Sequence, residues 1–384
     1  MMRDLKQVRL VLFFTQNMSL LAWERGGLFE REVALYRRLL PHLGGITFVT
    51  YGDARDLTFA SRLEGIEIIC NRWKLSLFWY QHYLAYVLGK HKQHPIIMKT
   101  NQVRGGELSL ALARRLGKPL IARCGFLFSD HMKWSAGQDS FLARQASAME
   151  ATLFAGANRV VVTTEAMRQM IKEDYGLGEE RVRVIPNYVD TELFAPGVTP
   201  LPPFPVRIIF AGRLEPQKNI LALVEALAGL EVELWLVGTG TLRDAIDDLA
   251  RLHGVAVRFF GVVPHLELPG LLQQATLFVL PSHWEGHPKT LLEAMSCGMP
   301  VIAGEIPALR GVVHHRDNGV LCGHTPEAIR GAVMELLGHA ELREQLGKRA
   351  RHYALEHLTI QGIIEQELAV LRELARSEAD SNKK

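Results

Sequence analysis

Cysteine is scarce, with four in 384 residues. Cys70, Cys124, Cys297 and Cys322 are scattered through apolar stretches, and none forms a Cys-x-x-Cys pair. That speaks against a disulfide framework or a thiolate zinc site and fits buried, reduced thiols in a cytoplasmic chain. An excess of one charge is also missing: the net charge of +3 gives no footprint for nucleic acid. Long hydrophobic runs are absent too. The longest aromatic–apolar stretch, Leu75 to Leu88, is too short to span a bilayer and is broken by Gln81 and His82. Met1-Met2-Arg3-Asp4-Leu5-Lys6 leads into a short apolar strand rather than a signal-type core. No solenoid-period repeat is found.

What is present organises into two halves. A chain of 384 residues exceeds one ordinary core, so two domains are expected. Five prolines, at 196, 200, 202, 203 and 205, mark a stiff linker over 196–205. Charge divides at the same place. Up to residue 205 there are 26 Lys and Arg against 19 Asp and Glu; beyond it there are 18 against 22. The basic half suits an anionic partner or surface.

Apolar runs alternate with amphipathic stretches in both halves, the pattern of parallel α/β layers. In the first half, strands are expected at Val8–Phe14, Ile46–Tyr51, Ile66–Cys70, Ile96–Lys99, Pro119–Ala122, Arg159–Thr163 and Val182–Pro186. In the second they are expected at Val206–Phe210, Val232–Val237, Val257–Phe260, Leu277–Leu280, Met299–Ala303 and Gly319–Cys322. A long loop is expected through Trp23 to Gly27, then a helix over Leu28–Leu40. Gly26 and Gly27, between strand and helix, permit close approach to a phosphate or simply make a turn. Residues 72–93 carry Phe78, Trp79, Tyr80, Tyr83 and Tyr86 between basic ends. Such a stretch marks an interfacial helix or one whose rings pack on the sheet or build an acceptor cleft; the need for an apolar helix face favours packing. Helices at 326–337, 341–356 and about 360–376 and a frayed tail over 377–384 close the chain.

The most informative stretch is 277–303. An apolar strand, Leu277–Leu280, enters a polar loop with Glu285, Gly286 and His287. Pro288 suits the first position of a helix that ends at Gly298. The loop therefore opens at the carboxyl end of a parallel strand, where open α/β sheets bind ligands. Glu285 and Glu293, eight positions apart, flank a helix N-terminus. Carboxylates read vicinal diols and free amides read an anion, which together suit a sugar nucleotide. Spacing alone equally allows a capping Glu and a solvated one. Lys289 either touches an acidic sugar or stays solvated. A second anion site follows the strand Val206–Phe210: Gly212, Arg213 and Lys218 supply a close backbone, a planar fork and a movable charge.

Glu285-Gly286-His287-Pro288 through Leu291-Leu292-Glu293-Ala294-Met295-Ser296-Cys297-Gly298-Met299-Pro300-Val301-Ile302-Ala303 resembles the Glu-x7-Glu signature of glycosyltransferase family 4, the group 1 glycosyltransferases. Gly212-Arg213-Leu214 with Lys218-Asn219 matches the same family's second motif. The resemblance covers 206–325 densely and 1–195 loosely. It implies a retaining, metal-independent enzyme of GT-B fold: two facing Rossmann-like α/β domains with parallel sheets and a C-terminal crossover helix. Residues 1–195 would form the acceptor-side domain and 206–358 the nucleotide-sugar domain. The crossover helix would return to the first. By resemblance, Arg213 and Lys218 bind the diphosphate, Glu285 the donor sugar and Glu293 the ribose. Gly26 and Gly27, with the amides of Gly286 and His287, lie near the diphosphate; Gly238 lies beside the nucleotide and Val262 near the base. Pro288 and Lys289 complete the loop.

The catalytic set is thus Glu285, Arg213 and Lys218, with no Asp-x-Asp pair near either motif to bridge a metal. No cofactor is implied beyond a nucleotide-sugar donor, UDP- or GDP-linked, and the acceptor is a glycan, polysaccharide or lipid-linked sugar. An anionic membrane at the inner face of the cell is the further partner suggested by the basic half. The sequence departs from the family at two places. Cys124 stands where many members carry a His that touches donor or acceptor, with His131 nearby, and Tyr188 replaces the glycine of Pro-Asn-Gly-Val-Asp. Arg123 holds an anionic group or makes a surface salt bridge. A GT-B phosphorylase, a sugar-nucleotide epimerase and a non-catalytic sugar-nucleotide scaffold are the alternative functions.

Overall fold

The computed structural model describes residues 4–90, 95–197 and 206–381, with side chains up to residue 376. Most of the proline linker, and His91 and Lys92 of the aromatic stretch, lie outside the described residues. The chain divides into two compact units. Residues up to Ile185 and those from Ile364 onward form the first, and Pro186–Ile363 the second.

In the first unit seven strands make one parallel sheet: β1 (Arg9–Phe13), β2 (Gly45–Val49), β3 (Ile66–Ile69), β4 (Ile96–Thr100), β5 (Leu120–Cys124), β6 (Arg159–Val162) and β7 (Val182–Val184). Their order is β3-β2-β1-β4-β5-β6-β7. The second unit repeats the plan with six: β8 (Val206–Ala211), β9 (Val232–Val237), β10 (Ala256–Gly261), β11 (Leu277–Leu280), β12 (Val301–Gly304) and β13 (Val320–Cys322). The order there is β10-β9-β8-β11-β12-β13, again all parallel. Val, Ile, Leu and Phe fill these strands because helices cover both faces. Each order reverses once, between β1 and β4 and between β8 and β11, and leaves a crevice at those strands' carboxyl ends.

Several expectations shift. The segment before the linker packs in the second unit rather than the first: Phe194 is buried in that core, and its carbonyl accepts from Ser296 Oγ (2.6 Å) and Arg351 (2.8 Å). The loop expected through Trp23 is a helix, Leu20–Arg25, capped by Ser19 Oγ on the Ala22 N–H. Trp23 is buried and stacks on Phe14 with ring centroids 4.0 Å apart. The aromatic helix, Leu77–Lys90, packs Tyr80, Leu84, Ala85 and Leu88 inward, but Phe78, Trp79 and Tyr86 face out, so ring packing holds for one side only. No helix among the described residues is long and apolar enough to cross a membrane.

The last helix, Ile360–Ser381, starts in the second unit and runs into the first. Glu367 on it reaches the sheet: Lys99 Nζ, from β4, donates to both carboxylate oxygens at 2.6 Å, and both side chains are buried. Burial pushes the Lys99 ammonium below its ordinary pKa, and Glu367 opposes that shift. Arg123 lies 3.7 Å from the same carboxylate. It therefore leans on the terminal helix, in a largely buried ion pair rather than a surface one. Arg159 and Arg183 both approach Glu373, at 3.2 and 3.3 Å.

Candidate functional site

The site builds from four loops that leave the carboxyl edge of the second sheet. After β8 come Gly212, Arg213 and a 3₁₀ turn, Pro216–Lys218; Asn219, at φ +57°, redirects the chain into helix Ile220–Ala226. After β9 comes Gly238, after β10 Val262 and His265, and after β11 Ser282 to Pro288. The β8 and β11 loops flank the crevice where the strand order reverses.

Gly212 and Gly238 make the floor. The Gly212 N–H donates to the Val237 carbonyl (2.9 Å), Leu214 N–H to Thr239 (2.9 Å) and Gly238 N–H to Gly261 (2.7 Å), so pairing continues past the strand ends. Gly238 stands at φ +126°, and a Cβ there would lie 1.9 Å from the Gly212 carbonyl oxygen. No other residue fits that crossing.

Lys218 and Glu285 meet above it. Lys218 Nζ donates to Glu285 Oε1 at 2.5 Å, and Ser282 Oγ donates to the same oxygen at 2.7 Å. Glu285 Oε2 accepts no hydrogen bond from the described residues. The His283 N–H donates to the Gln217 carbonyl (2.9 Å), which ties the two loops together. Arg213 differs from Lys218: it is exposed and makes no hydrogen bond or ion pair with the described residues.

Helix Lys289–Ser296 starts one residue later than expected, with Pro288 at its N-cap, and Gly298 takes the left-handed conformation (φ +70°) that ends it. Thr290 Oγ donates to the Ala211 carbonyl at 2.8 Å, pinning the first turn to the end of β8. Pro288 supplies no side-chain cap and Gly286 is buried, so backbone lines this corner. His287 is buried and clamped by Asn187: the Asn187 N–H donates to His287 Nδ1 (3.0 Å) and Asn187 Nδ2 to the His287 carbonyl (2.6 Å). An accepting Nδ1 puts the proton of the neutral ring on Nε2. Lys289 Nζ stands 5.7 Å from the ring centroid of Tyr188, the residue that replaces the family glycine.

Glu293 is buried on that helix, which removes the solvated alternative that spacing left open. His265 Nε2 lies 2.9 Å from its Oε1. His265 also packs on Phe194, ring centroids 5.0 Å apart. Sequence reasoning missed His265, Ser282, Thr290 and the clamping role of Asn187. A lone His or Thr carries no spacing signal, whereas Ser282 directly flanks the glutamate loop. Val262 is exposed on the β10 loop.

The remaining residues singled out by the sequence lie in the first unit. The Gly26 N–H donates to Ala22 (3.1 Å) and the Gly27 N–H to Glu24 (3.0 Å), with Gly27 at φ +66°. The pair closes the short helix, and both amides are spent on that helix's own carbonyls. Cys124 is fully buried and its thiol donates to the Phe126 carbonyl at 3.1 Å. Burial pushes that thiol well above its ordinary pKa, so it stays protonated at neutral pH and does no acid–base work. His131 sits half-buried on helix Phe128–Ala136. Burial likewise holds the Cys297 and Cys322 thiols at about 12.

The model of glycosyl transferases group 1 matches residues 197–353, and that of glycosyltransferase family 4 matches residues 34–193. Among relatives, a glycogen synthase of Mycobacterium tuberculosis is 31% identical over 252 residues, which are 63% of this chain and 60% of that one. A D-inositol 3-phosphate glycosyltransferase of Acidothermus cellulolyticus is 29% identical over 286 residues, 67% and 64% of the two chains. The matches thus span about 60% of the relatives' own length. Among solved structures, HepE of Anabaena in complex with UDP and glucose superposes with a TM-score of 0.75 at 18% identity, over 95% and 99% of the chains. A sucrose-phosphate synthase of Thermosynechococcus elongatus gives 0.78 at 20%, over 96% and 99%. Two parallel Rossmann-like sheets, family models across most of both units and these neighbours agree: the chain belongs to the group 1 glycosyltransferases of GT-B fold.

Proposed function

We propose that the protein transfers a sugar from a nucleotide-sugar donor to an acceptor hydroxyl, with retention of configuration and without an essential divalent metal. One observation carries the reading: beside the carboxyl edge of one sheet Lys218 pairs with Glu285 and the helix residue Glu293 with His265, while Arg213 is exposed on the same loop as Lys218. The C–O bond from the anomeric carbon to the β-phosphate breaks, and a new one forms to the acceptor oxygen. The acceptor's proton leaves toward the departing diphosphate. Arg213 and Lys218 stabilise the charge that grows there. Lys218 reaches it by sharing or releasing Glu285, whose Oε2 takes a sugar hydroxyl. Glu293, steadied by His265, reads the ribose; Gly238 leaves room for the nucleotide, and Gly286 and His287 line the approach to the diphosphate.

The metal-free reading rests on the missing Asp-x-Asp pair, and retention on family likeness. Transfer is expected to persist in chelator. The solved complexes of HepE with UDP and UDP-glucose favour a UDP-linked donor over a GDP-linked one. The acceptor is a glycan, polysaccharide or lipid-linked sugar. A thermal-shift panel of nucleoside diphosphates and nucleotide sugars should single out one base, because binding raises the melting temperature by mass action. Free nucleoside diphosphate should then be released only when acceptor is present. Release without acceptor dependence contradicts the reading. The buried Cys124 favours one alternative, a non-catalytic sugar-nucleotide scaffold; binding without turnover across an acceptor panel would establish it.

A further inference from the structure

One face of the first unit is built unlike the rest of the surface. Among the described residues six large aromatic side chains are exposed, and all lie in the first unit: Trp73, Phe78, Trp79, Tyr86, Trp134 and Phe141. Four of them fall between 73 and 86, with Phe78 60%, Trp79 61% and Tyr86 64% exposed. On helix Leu77–Lys90, Phe78, His82, Tyr86 and Lys90 recur every fourth residue and so share one outward stripe. The opposite side is already satisfied by the core.

The charge contributed by this stretch has one sign. Between Glu67 and Glu107 the sequence holds no Asp or Glu. Arg72, Lys74 and Lys90 are exposed there, and Arg72 lies 4.0 Å over the Trp73 ring and Lys90 4.2 Å over Tyr86. Lys74 also acts on Asp53, a carboxylate already forked by Arg55 at 2.9 and 3.0 Å. A second copy on this face would set these cations against themselves. A glycan needs carboxylates or amides beside its stacking rings; the stretch carries no acid, and of the side-chain amides from Asn71 to Lys90, Asn71 is spent on the Leu75 backbone, which leaves Gln81 alone. Rings with cations at both ends match the layer where lipid headgroups meet acyl chains.

We propose that this face docks on an anionic lipid surface, with Trp73, Phe78, Trp79 and Tyr86 in the headgroup layer and Arg72, Lys74 and Lys90 on lipid phosphates. Because the segment from Arg72 to Trp79 follows β3, docking sets the carboxyl edge of the first sheet beside the lipid. The inference is independent of the transfer chemistry and stands or falls on binding alone.

Flotation of the full chain with phosphatidylcholine vesicles, with and without phosphatidylglycerol, tests it. The wild type should float with the anionic vesicles only, and less as salt rises. Phe78→Ser with Trp79→Ser, and separately Arg72→Glu with Lys74→Glu, should each weaken binding by at least about tenfold. All four side chains are exposed, so thermal midpoints should hold. As a check free of variants, brominated phosphatidylglycerol should quench the wild type's tryptophan emission. Failure to float, equal floating with neutral vesicles, unchanged emission or unaltered binding by both variants overturns the proposal. So does a wild-type dimer that the Phe78/Trp79 variant dissociates, since the face would then join two copies.

Discussion

Arg213→Ala should cut sugar transfer by well over tenfold, more than ~1.4 kcal/mol of transition-state stabilisation, and leave folding stability within about 0.5 kcal/mol of wild type. The asymmetry follows from its surroundings. Arg213 is exposed and makes no hydrogen bond or ion pair with the described residues, so removing it leaves nothing buried without a partner. Its worth is expressed when a diphosphate arrives. Glu285→Ala should lose at least as much transfer, but with a stability cost. Lys218 is 8% exposed and Ser282 fully buried, and both give their hydrogen bonds to the lost carboxylate. Steady-state rates beside melting curves separate the two cases. Full activity in either variant refutes the assignment of these residues.

The second large effect concerns the terminal helix. Glu367→Ala should destabilise the first unit by about 3–5 kcal/mol, because it strands a buried ammonium. Lys99 is fully buried, with both of its short bonds going to Glu367. The pair itself need not be stabilising. Lys99→Met combined with Glu367→Leu should recover most of the loss, since an apolar pair of similar volume carries no desolvation cost. Denaturant unfolding of the full chain, read for an early separate transition, measures both. A mild loss in Glu367→Ala would mean that the helix is held by Ile364, Leu368, Leu371 and Leu374 alone.

The legible and illegible parts of this chain differ in physical kind. Strands of an all-parallel sheet are apolar on both faces, so runs such as Leu277–Leu280 and Val232–Val237 stand out as blocks and their ends fall within a residue or two of expectation. The glutamate loop was legible because Pro288 and Gly298 punctuate its helix. Helix Leu20–Arg25 was missed although Ser19 and Gly26 bracket it, because six residues give too little period to see. The Lys99–Glu367 pair was out of reach: a Lys near a strand's end reads as the strand's edge, and its partner is 268 residues away. His265 belongs to the same class. Its meaning comes from Glu293, which only the fold brings near.

The central claim is that the loops after β8, β9, β10 and β11 form one nucleotide site. Amide hydrogen exchange of the full chain with and without UDP, or with GDP if only that base binds, tests it most directly. Slowed exchange is predicted together at 212–218, 238–240, 262–265 and 283–290, and lost in Arg213→Ala. A bound nucleotide that leaves these four segments unchanged, or protects only one of them, contradicts the account.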